Sequence, residues 1–337
     1  MAVRPRALVA PDSFKGTFDA QSVARALGSG LEAAGWEVDL CPVADGGEGT
    51  MALLVEALGG SFVAARASDP LGRPVDCRLG LVDAAATAIV EVAQASGLAL
   101  VGEHERDAWA ASTGGTGELI LAAAATGARK VVVAAGGSAT TDGGAGAIAA
   151  VQAGGGLGDG VRLEVLCDVE VSFEQAARVF GPQKGADEAM IARLEGRLDA
   201  LAASFRNDPR GVRATGCAGG LSGGLWAVFD AALRPGAAAV LEALGVDARI
   251  RAAQLVVAGE GRIDDQSFGG KIVGELVRRA QAAGVPIHAV AGTSRLSADE
   301  AARAGLAGVW AASALEEIEA AGRALGTTAL RAWAEPD

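Results

Sequence analysis

Residues 6–47 read RALVAPDSFKGTFDAQSVARALGSGLEAAGWEVDLCPVADGG, two apolar runs separated by a segment of helical periodicity. Arg6–Ala10 is predicted to be a strand that ends at Pro11-Asp12, and Glu37–Val43 is predicted to be the next strand. Between them, apolar residues recur with the spacing of one helix face: Ala20, Val23, Ala24, Leu27, Leu31 and Ala34. A strand, a helix and a second strand form a βαβ unit, which implies a parallel sheet.

The same alternation of strands and helices returns near the other end of the sequence. Gln254–Ala258, Pro286–Ala291 and Leu306–Ala311 are strand candidates. Helical patterns cover roughly Gly270–Ala283 and Leu315–Trp333. Both ends of the chain are therefore expected to contribute to one sheet.

Residues 61–95 have a different pattern, a β-meander with three strand candidates: Ser61–Ala67, Val75–Val82 and Thr87–Val92. We take the meander as part of a second domain that is inserted into the first. The prediction is an α/β protein with a discontinuous domain formed by residues 1–58 and 250–337 and an inserted α/β domain formed by residues 59–249. Such an arrangement creates a cleft between the two domains, where ligands are expected to bind.

The composition excludes several classes of function. The chain has 337 residues, half of them hydrophobic, and a formal net charge of −12, which disfavours nucleic acid and anionic membranes as partners. His104 and His288 are far apart and the four cysteines have no C-x-x-C pair, which disfavours a zinc site or a Ser-His-Asp triad. With no apolar run of membrane-spanning length and no secretory leader, we expect a cytoplasmic protein with free buried thiols.

Five polar loops follow strand candidates and combine glycines with acids or hydroxyls: residues 11–16, 44–50, 136–144, 167–170 and 259–265. In parallel sheets the loops at the carboxyl ends of the strands converge on one edge. Three of the four lysines, Lys15, Lys184 and Lys271, lie in short glycine-rich segments, although the chain has 25 arginines. A lysine kept in a glycine loop indicates a compact ammonium group held near phosphate.

Phosphoryl transfer needs these groups: backbone donors and cations for the phosphates, oxygen ligands for Mg²⁺, and a carboxylate near the attacking hydroxyl. Residues 136–144 precede a helical segment that begins near Ala145, and a helix N-terminus of this kind is a favourable anion site. The simpler interpretation of this loop is a Ser or Asp cap on an ordinary helix. Walker A, protein-kinase and Rossmann signatures are absent, so the residues alone indicate a nucleotide-dependent phosphotransferase of unusual type.

Eight segments, in this order, resemble the bacterial glycerate kinase type-1 family: APDSFKG (10–16), PVADGGEGT (42–50), ASGL (95–98), GTGELI (115–120), GGSATTDGGAG (136–146), FGPQKGA (180–186), AGGL (218–221) and GEGRID (259–264). The resemblance implies ATP-dependent phosphorylation of D-glycerate with Mg²⁺, with 2-phosphoglycerate as the usual product. It also implies two α/β domains, one flavodoxin-like with a parallel sheet and one with a mixed sheet like that of restriction endonucleases.

The sequence departs from the family pattern at four places. The segment Glu170–Glu174 is shorter than the family's stretch between Cys-Asp-Val and Phe-Gly-Pro-Gln-Lys-Gly. Gly114 stands at a usual aromatic position, Thr141 at a usual Asn and Gly269 at a frequent His. These changes bear on substrate affinity and acceptor choice, but they leave all the lysines and most of the acids in place.

The candidates for catalysis are two lysines and two aspartates. Lys15 and Lys184 would neutralise the transferring phosphate or the glycerate carboxylate. Asp45 and Asp168 would hold Mg²⁺ or accept the hydroxyl proton, two roles that the sequence does not separate.

The remaining candidates bind ligands. Those for the nucleotide are Gly136, Gly137, Ser138, Thr140, Asp142, Gly259, Glu260, Asp264 and Lys271. Those for glycerate are Ser13 and Arg262.

Two alternatives stay open at this point. One is a kinase that acts at the 3-hydroxyl of glycerate, because acceptor choice depends on fine placement. The other is a nucleotide- or metabolite-binding protein that has lost catalysis, which the shortened loop after Asp168 favours. Five intact residues argue against it: Lys15, Asp45, Asp142, Lys184 and Asp264. The sequence does not indicate the oligomeric state.

Overall fold

The structure is a computed structural model that describes residues 4–14 and 16–334. It divides into two compact units, Met1–Asp45 with Val240–Asp337 and Gly46–Ala239. The boundaries predicted from the sequence lie further along the chain, at 58/59 and 249/250. The helix Thr50–Ala57 accounts for the first difference, because it packs against the strands of the second unit.

Eleven strands are present in the described residues: β1 (Arg6–Pro11), β2 (Glu37–Leu40), β3 (Ser61–Ser68), β4 (Pro74–Val82), β5 (Thr87–Glu91), β6 (Lys130–Ala134), β7 (Arg162–Cys167), β8 (Ala232–Pro235), β9 (Leu255–Ile263), β10 (Ile287–Ser294) and β11 (Gly308–Ala311). The α-helices of the same residues are α1 (Ala20–Ala33), α2 (Thr50–Ala57), α3 (Val92–Ser96), α4 (Gly114–Ala125), α5 (Ala145–Ala153), α6 (Ala176–Phe180), α7 (Glu188–Ser204), α8 (Leu221–Phe229), α9 (Gly236–Ala243), α10 (Val246–Arg251), α11 (Ile272–Ala283), α12 (Ala298–Arg303) and α13 (Leu315–Ala334). None of these helices is long and apolar enough to cross a membrane.

The first unit contains a five-stranded, fully parallel sheet in the order β11-β10-β9-β1-β2. Numbered within the unit, this is the flavodoxin order 2-1-3-4-5, whose direction reverses between β1 and β9. Residues 7–10 of β1 are fully buried, which matches their uninterrupted apolar sequence because helices cover both faces of such a sheet. The predicted βαβ unit is therefore confirmed.

The second unit contains a six-stranded mixed sheet in the order β3-β4-β5-β6-β7-β8. The pairs β3–β4 and β4–β5 are antiparallel, which is the predicted meander, and the pairs from β5 to β8 are parallel. The predicted fold class, with one parallel and one mixed sheet, is thus confirmed. The four cysteines are free and buried, as expected.

One loop expected from the sequence is part of a strand instead. Residues 259–263 were predicted to follow a strand that ends at Ala258, but β9 continues to Ile263. The reason is pairing with β10, which also extends further than expected and sets Glu260 opposite Ala291 and Arg262 opposite Thr293. Two glycines conceal the extension in the sequence, because glycine is rare inside strands.

Helix α1 packs against α13, and Gly30 lies in the contact between them. A Cβ atom at Gly30 would collide with the backbone of Glu319 and Arg323 in α13. Trp36, in the turn after α1, is buried and donates from Nε1 to the carbonyl oxygen of Gly326 at 2.9 Å. The contact between the backbones of α1 and α13 at Gly30 explains why the interior of α1 contains a glycine there, despite the low helix propensity of glycine.

We predict opposite effects for two helical glycines. Gly196→Ala in α7, where a Cβ meets no atom within 4 Å, should stabilise by about 0.5–1 kcal/mol through helix propensity. Gly30→Ala should lower the free energy of unfolding by about 1–3 kcal/mol, because the cost of overpacking against α13 exceeds the gain in helix propensity. Urea unfolding midpoints of the two variants and the parent would measure both. A Gly30→Ala variant as stable as Gly196→Ala would show that α13 can move away at no cost.

Candidate functional site

The first unit has a cavity where its strand order reverses, the place at which ligands bind in open α/β sheets. Its volume is about 550 Å³, within the range of small-molecule sites. We call it the switch-point cavity, and its lining residues are Ser13, Phe14, Thr17, Glu260, Gly261, Arg262, Asp264, Lys271, Gly292, Thr293 and Ser313.

The switch-point cavity brings together five residues that the sequence singled out: Ser13, Glu260, Arg262, Asp264 and Lys271. Gly259 is not among the lining residues. A Cβ at this position would lie 2.7 Å from Cβ of Pro11, so Gly259 permits the close packing of β9 on β1. The lining residues from β10 and from the loop after β11 were missed. Their signal was available, because both strands were predicted to lie in the same parallel sheet.

The charges of the switch-point cavity suit a ligand with an anionic group. Arg262 forms an ion pair with Asp264 at 3.0 Å, but half of the arginine side chain is exposed, so the pair is weak. Lys271 occupies the N-cap position of α11 and forms no ion pair with another described residue. Its ammonium charge adds to the positive end of the helix dipole.

The second unit has a buried lysine in its glycine-rich loop region. The side chain of Lys184 is at the end of a 3₁₀ turn, Pro182–Lys184, and the residue is only 2% exposed. Its Nζ donates to Oγ of Ser138 at 3.1 Å and to the carbonyl oxygen of Thr140. We call Thr113, Ser138, Thr140, Thr141, Asp142 and Lys184 the Lys184 cluster.

Asp142 organises the backbone of the Lys184 cluster. Its carboxylate accepts from the N–H groups of Thr113, Gly144 and Gly146 at 2.9–3.1 Å and from Oγ1 of Thr113 at 2.8 Å. These donors include Gly144, the N-cap residue of α5, and Gly146 in its first turn, so the carboxylate occupies the helix N-terminus that the sequence suggested as an anion site. The assignment of Asp142 to the nucleotide stays a prediction.

The ammonium of Lys184 forms no ion pair with a carboxylate of the residues that the structure describes. Burial lowers its pKa to about 8, and the negative charge of Asp142 opposes this shift only in part. Next to it, Gly137 is exposed, and the N–H groups of Gly137 and Ser138 donate to no other described residue. An uncompensated cation beside unused backbone donors is a favourable environment for a phosphate group.

The two candidate aspartates lie in different units. Asp45 is half-buried in the loop after β2, and Asp168 is half-buried directly after β7. The thiol of Cys217 donates to Oδ1 of Asp168 at 3.2 Å. No three His, Cys, Asp or Glu side chains among the described residues group as a metal site. Because Mg²⁺ commonly takes one or two protein carboxylates together with substrate phosphates, the assignment of Asp45 and Asp168 as ligands stays a prediction.

Lys15 lies outside the described residues. Of the described residues on either side, Phe14 donates its N–H to the carbonyl oxygen of Phe18 at 2.9 Å, and Thr17 donates its N–H to the carbonyl oxygen of Phe14 at 2.8 Å. Phe14 is buried in the core of the first unit.

Comparison with known proteins is consistent across sequence and structure. The profile of the glycerate kinase family matches residues 7–155 and 156–333. The chain belongs to the glycerate kinase family. It is 37% identical to a glycerate kinase of Halalkalibacterium halodurans over 322 residues, 85% of each chain, and 37% identical to glycerate 2-kinase of Escherichia coli K12 over 323 residues, 85% of this chain and 84% of that one.

A solved structure shows the same fold over the whole chain. A crystal structure assigned as glycerate kinase 2 from Salmonella typhimurium LT2 has a TM-score of 0.84 and 32% identity, and it covers 99% of this chain and 100% of that one. The expected membership of the glycerate kinase family is thus confirmed, and with it the expectation of a kinase that uses ATP as phosphate donor.

The shortened segment after Asp168 in this glycerate kinase is well anchored. Glu170 pairs with Arg213, the N–H of Phe173 donates to Oγ1 of Thr215 at 2.9 Å, and the carboxylate of Glu174 accepts from the N–H of Gly211 at 3.1 Å. All three contacts join the segment to residues 211–215. A shorter chain here therefore still forms an ordered connection.

Arg197 is a member of the site region that sequence reasoning missed. Its guanidinium donates to the carbonyl oxygens of Thr141 at 2.5 Å and Trp109 at 2.7 Å, and it lies 4.6 Å from the centre of the Trp109 ring. Burial lowers its pKa. Lys184 and Arg197 therefore bind two consecutive carbonyl groups, those of Thr140 and Thr141. No sequence signal marks this arginine, since it is one of many on polar helices.

We predict that the kcat/KM of this glycerate kinase for ATP falls as pH rises through about 8. Lys184 is charged below its pKa and neutral above it, so the phosphate loses an electrostatic partner as the pH rises. The value of kcat/KM should therefore fall by up to about tenfold per pH unit. Ser138→Ala removes an acceptor of the ammonium and should move this fall to lower pH. The matched control is Ser204→Ala, whose hydroxyl bonds only to Leu201 on α7. A profile that stays flat above pH 9 in the parent enzyme would contradict the assignment.

Proposed function

We propose that this chain transfers the γ-phosphoryl group of ATP to the 2-hydroxyl of D-glycerate and releases 2-phosphoglycerate. The observation that carries the proposal is the 37% identity, over 85% of the chain, to the E. coli protein named glycerate 2-kinase. The buried thiols support a reducing compartment, and we assign the reaction to the cytoplasm.

The Lys184 cluster supports a role in binding phosphate. Gly136 allows the loop to lie against the backbone of Gly47, because a Cβ at Gly136 would be 2.6 Å from the Gly47 Cα. Gly137 has a left-handed backbone, with φ of +68°, which favours glycine. The exposed N–H of Gly137 and that of Ser138 are the proposed donors to phosphate oxygens. Lys184 lies behind Ser138 and would stabilise the negative charge that the transferring group carries. Thr140 and Asp142 would keep the loop in shape rather than contact the nucleotide.

The switch-point cavity supports the binding of the remaining anionic and polar groups. We assign Arg262 and Ser13 to glycerate, because a guanidinium binds a carboxylate with two parallel hydrogen bonds and a hydroxyl can bond to it as well. Lys271, Glu260 and Asp264 are assigned to the nucleotide. Lys271 adds its charge to the N-terminus of α11, an arrangement suited to phosphate.

Asp45 and Asp168 are the proposed carboxylates for Mg²⁺ and for the acceptor proton. Mg²⁺ would supply charge neutralisation of the phosphates when bound. The carboxylate that does not hold the cation would accept the proton of the glycerate hydroxyl, late in a loose transition state. The thiol of Cys217, which donates to Asp168 at 3.2 Å, helps to orient one of these two groups.

The reaction is tested by incubating the purified chain with ATP, Mg²⁺ and D-glycerate and identifying the product by phosphorus NMR. We expect 2-phosphoglycerate, and L-glycerate serves as the matched control for stereochemistry. Accumulation of 3-phosphoglycerate would overturn the proposed position of transfer. ATP binding without any phosphorylated product would overturn the proposed activity.

The assignment of the switch-point cavity is tested by two substitutions that each remove one cation. Arg262→Ala should raise the KM for glycerate by about tenfold or more while it leaves the KM for ATP nearly unchanged, because a charged hydrogen bond is worth about 1.5–3 kcal/mol. Lys271→Ala should raise the KM for ATP instead. Steady-state kinetics with each substrate varied in turn would measure both. Equal effects of both substitutions on both KM values would refute the division of roles.

A further inference from the structure

The outer side of β3 is an exposed sheet edge. β3 is the first strand of the six-stranded sheet and pairs only with β4 among the described strands. Residues 61–64 and Arg66 are exposed. An edge strand presents a row of unpaired N–H and C=O groups, which can pair with a strand of another chain. At the end of β3 the N–H of Ser68 already donates to the carboxylate of Glu118 at 2.7 Å, so residues 62–66 form the part of the edge that is open to pairing.

The other sheet edges are protected in ways that β3 is not. β2, β8 and β11 each have four residues, β2 carries Glu37 and Asp39, and β8 ends in Pro235. β3 has eight residues with the sequence SFVAARAS, which contains no proline, no lysine and no acid. Short length, charge and proline are the usual means by which proteins prevent edge-to-edge pairing.

Apolar side chains accompany this open edge. Phe62 and Val63 on β3 are 43% and 37% exposed, and Leu58, just before the strand, is 38% exposed. A cavity of about 410 Å³ lies beside them, lined by residues 58–61 and 81–85. Exposed apolar groups next to unpaired backbone donors mark a surface that is covered in solution.

We propose that β3 pairs antiparallel with β3 of a second copy of this chain, so that the two six-stranded sheets become one continuous sheet across a two-fold axis. An antiparallel edge is complementary to itself under such an axis, because the same residues supply donors and acceptors on both sides. The proposal is independent of the reaction and of the substrate.

The charge distribution favours a second copy at this edge. Each chain carries a net charge of −12, so two copies repel least where the contacting strands carry few free acids. β3 itself has no acid, and the two carboxylates beside it are already bound: Asp76 pairs with Arg66 at 3.0 Å and Glu118 accepts from the N–H of Ser68 at 2.7 Å. The one charged residue of the strand, Arg66, lies near its end. Antiparallel pairing keeps the two Arg66 side chains apart, and each can keep its ion pair with Asp76 on β4 of its own chain. The Phe62 ring is covered on one side by the guanidinium of Arg78, 4.1 Å from its centre.

The oligomeric state tests the proposal, with the full chain measured by light scattering over a range of concentrations. The parent should have about twice the chain mass of 33.3 kDa. Val63→Lys, which adds a charge to the edge, should reduce the mass to that of the monomer without a change in thermal stability at low concentration. Val179→Lys is the matched control, since Val179 is 51% exposed on α6, outside the sheet, and this variant should remain dimeric. A parent that is monomeric at all concentrations, with the edge left to another protein or to solvent, overturns the proposal.

Disulfide trapping tests the pairing itself. Residues directly opposite in an antiparallel pair have Cα atoms about 4.5–5.5 Å apart, which a disulfide can bridge. At least one of Ala64→Cys and Ala65→Cys should therefore form an intermolecular disulfide under mild oxidation. Ala232→Cys on the β8 edge is the control and should remain monomeric in non-reducing gels. A dimer in which neither β3 variant cross-links, or which survives Val63→Lys, places the interface elsewhere and overturns the proposal.

Discussion

A buried ammonium without a contacting carboxylate is the constraint on which the second unit depends. Lys184 is almost completely inaccessible, and its charge is held by a hydroxyl and a carbonyl oxygen. Burying an ion costs several kcal/mol, so the surrounding backbone must stay in place to supply those oxygens. Asp142 provides this rigidity by binding the N–H groups that begin α5.

A glycine with a left-handed backbone lies beside the carbonyl group of Thr140 that binds Lys184. Gly219, with φ of +68°, lies so close to the carbonyl group of Thr140 that any side chain would collide with it. The turn that contains Gly219 therefore packs directly against the same carbonyl group that binds Lys184. The incomplete compensation of the charge is useful in a kinase, because a fully paired lysine would have little attraction for phosphate. Stability and function thus make opposite demands on this group.

The sequence was informative where a local pattern had only one structural solution. The apolar run of β1 and the helical spacing of residues 20–34 could form only a βαβ unit, and the meander of residues 61–92 could form only antiparallel strands. The sequence was less informative for β9, where glycines hid the last residues of the strand. It also placed Asp142 among the ligand-binding residues, which stays a prediction; only the structure shows that its carboxylate accepts four hydrogen bonds, three from backbone N–H groups and one from Oγ1 of Thr113.

From the sequence alone came the fold class, the family resemblance and the polar loops, because these depend on residues that are near one another in the chain. Only the tertiary structure decided which residues share a site: Ser13, Glu260 and Lys271 line one cavity although more than 240 positions separate the first two. Likewise, only folding showed that Arg197 binds the loop of Lys184 and that β3 is an open edge. Burial and strand order are properties of the packed chain, and packing joins segments whose distance in sequence carries no signal.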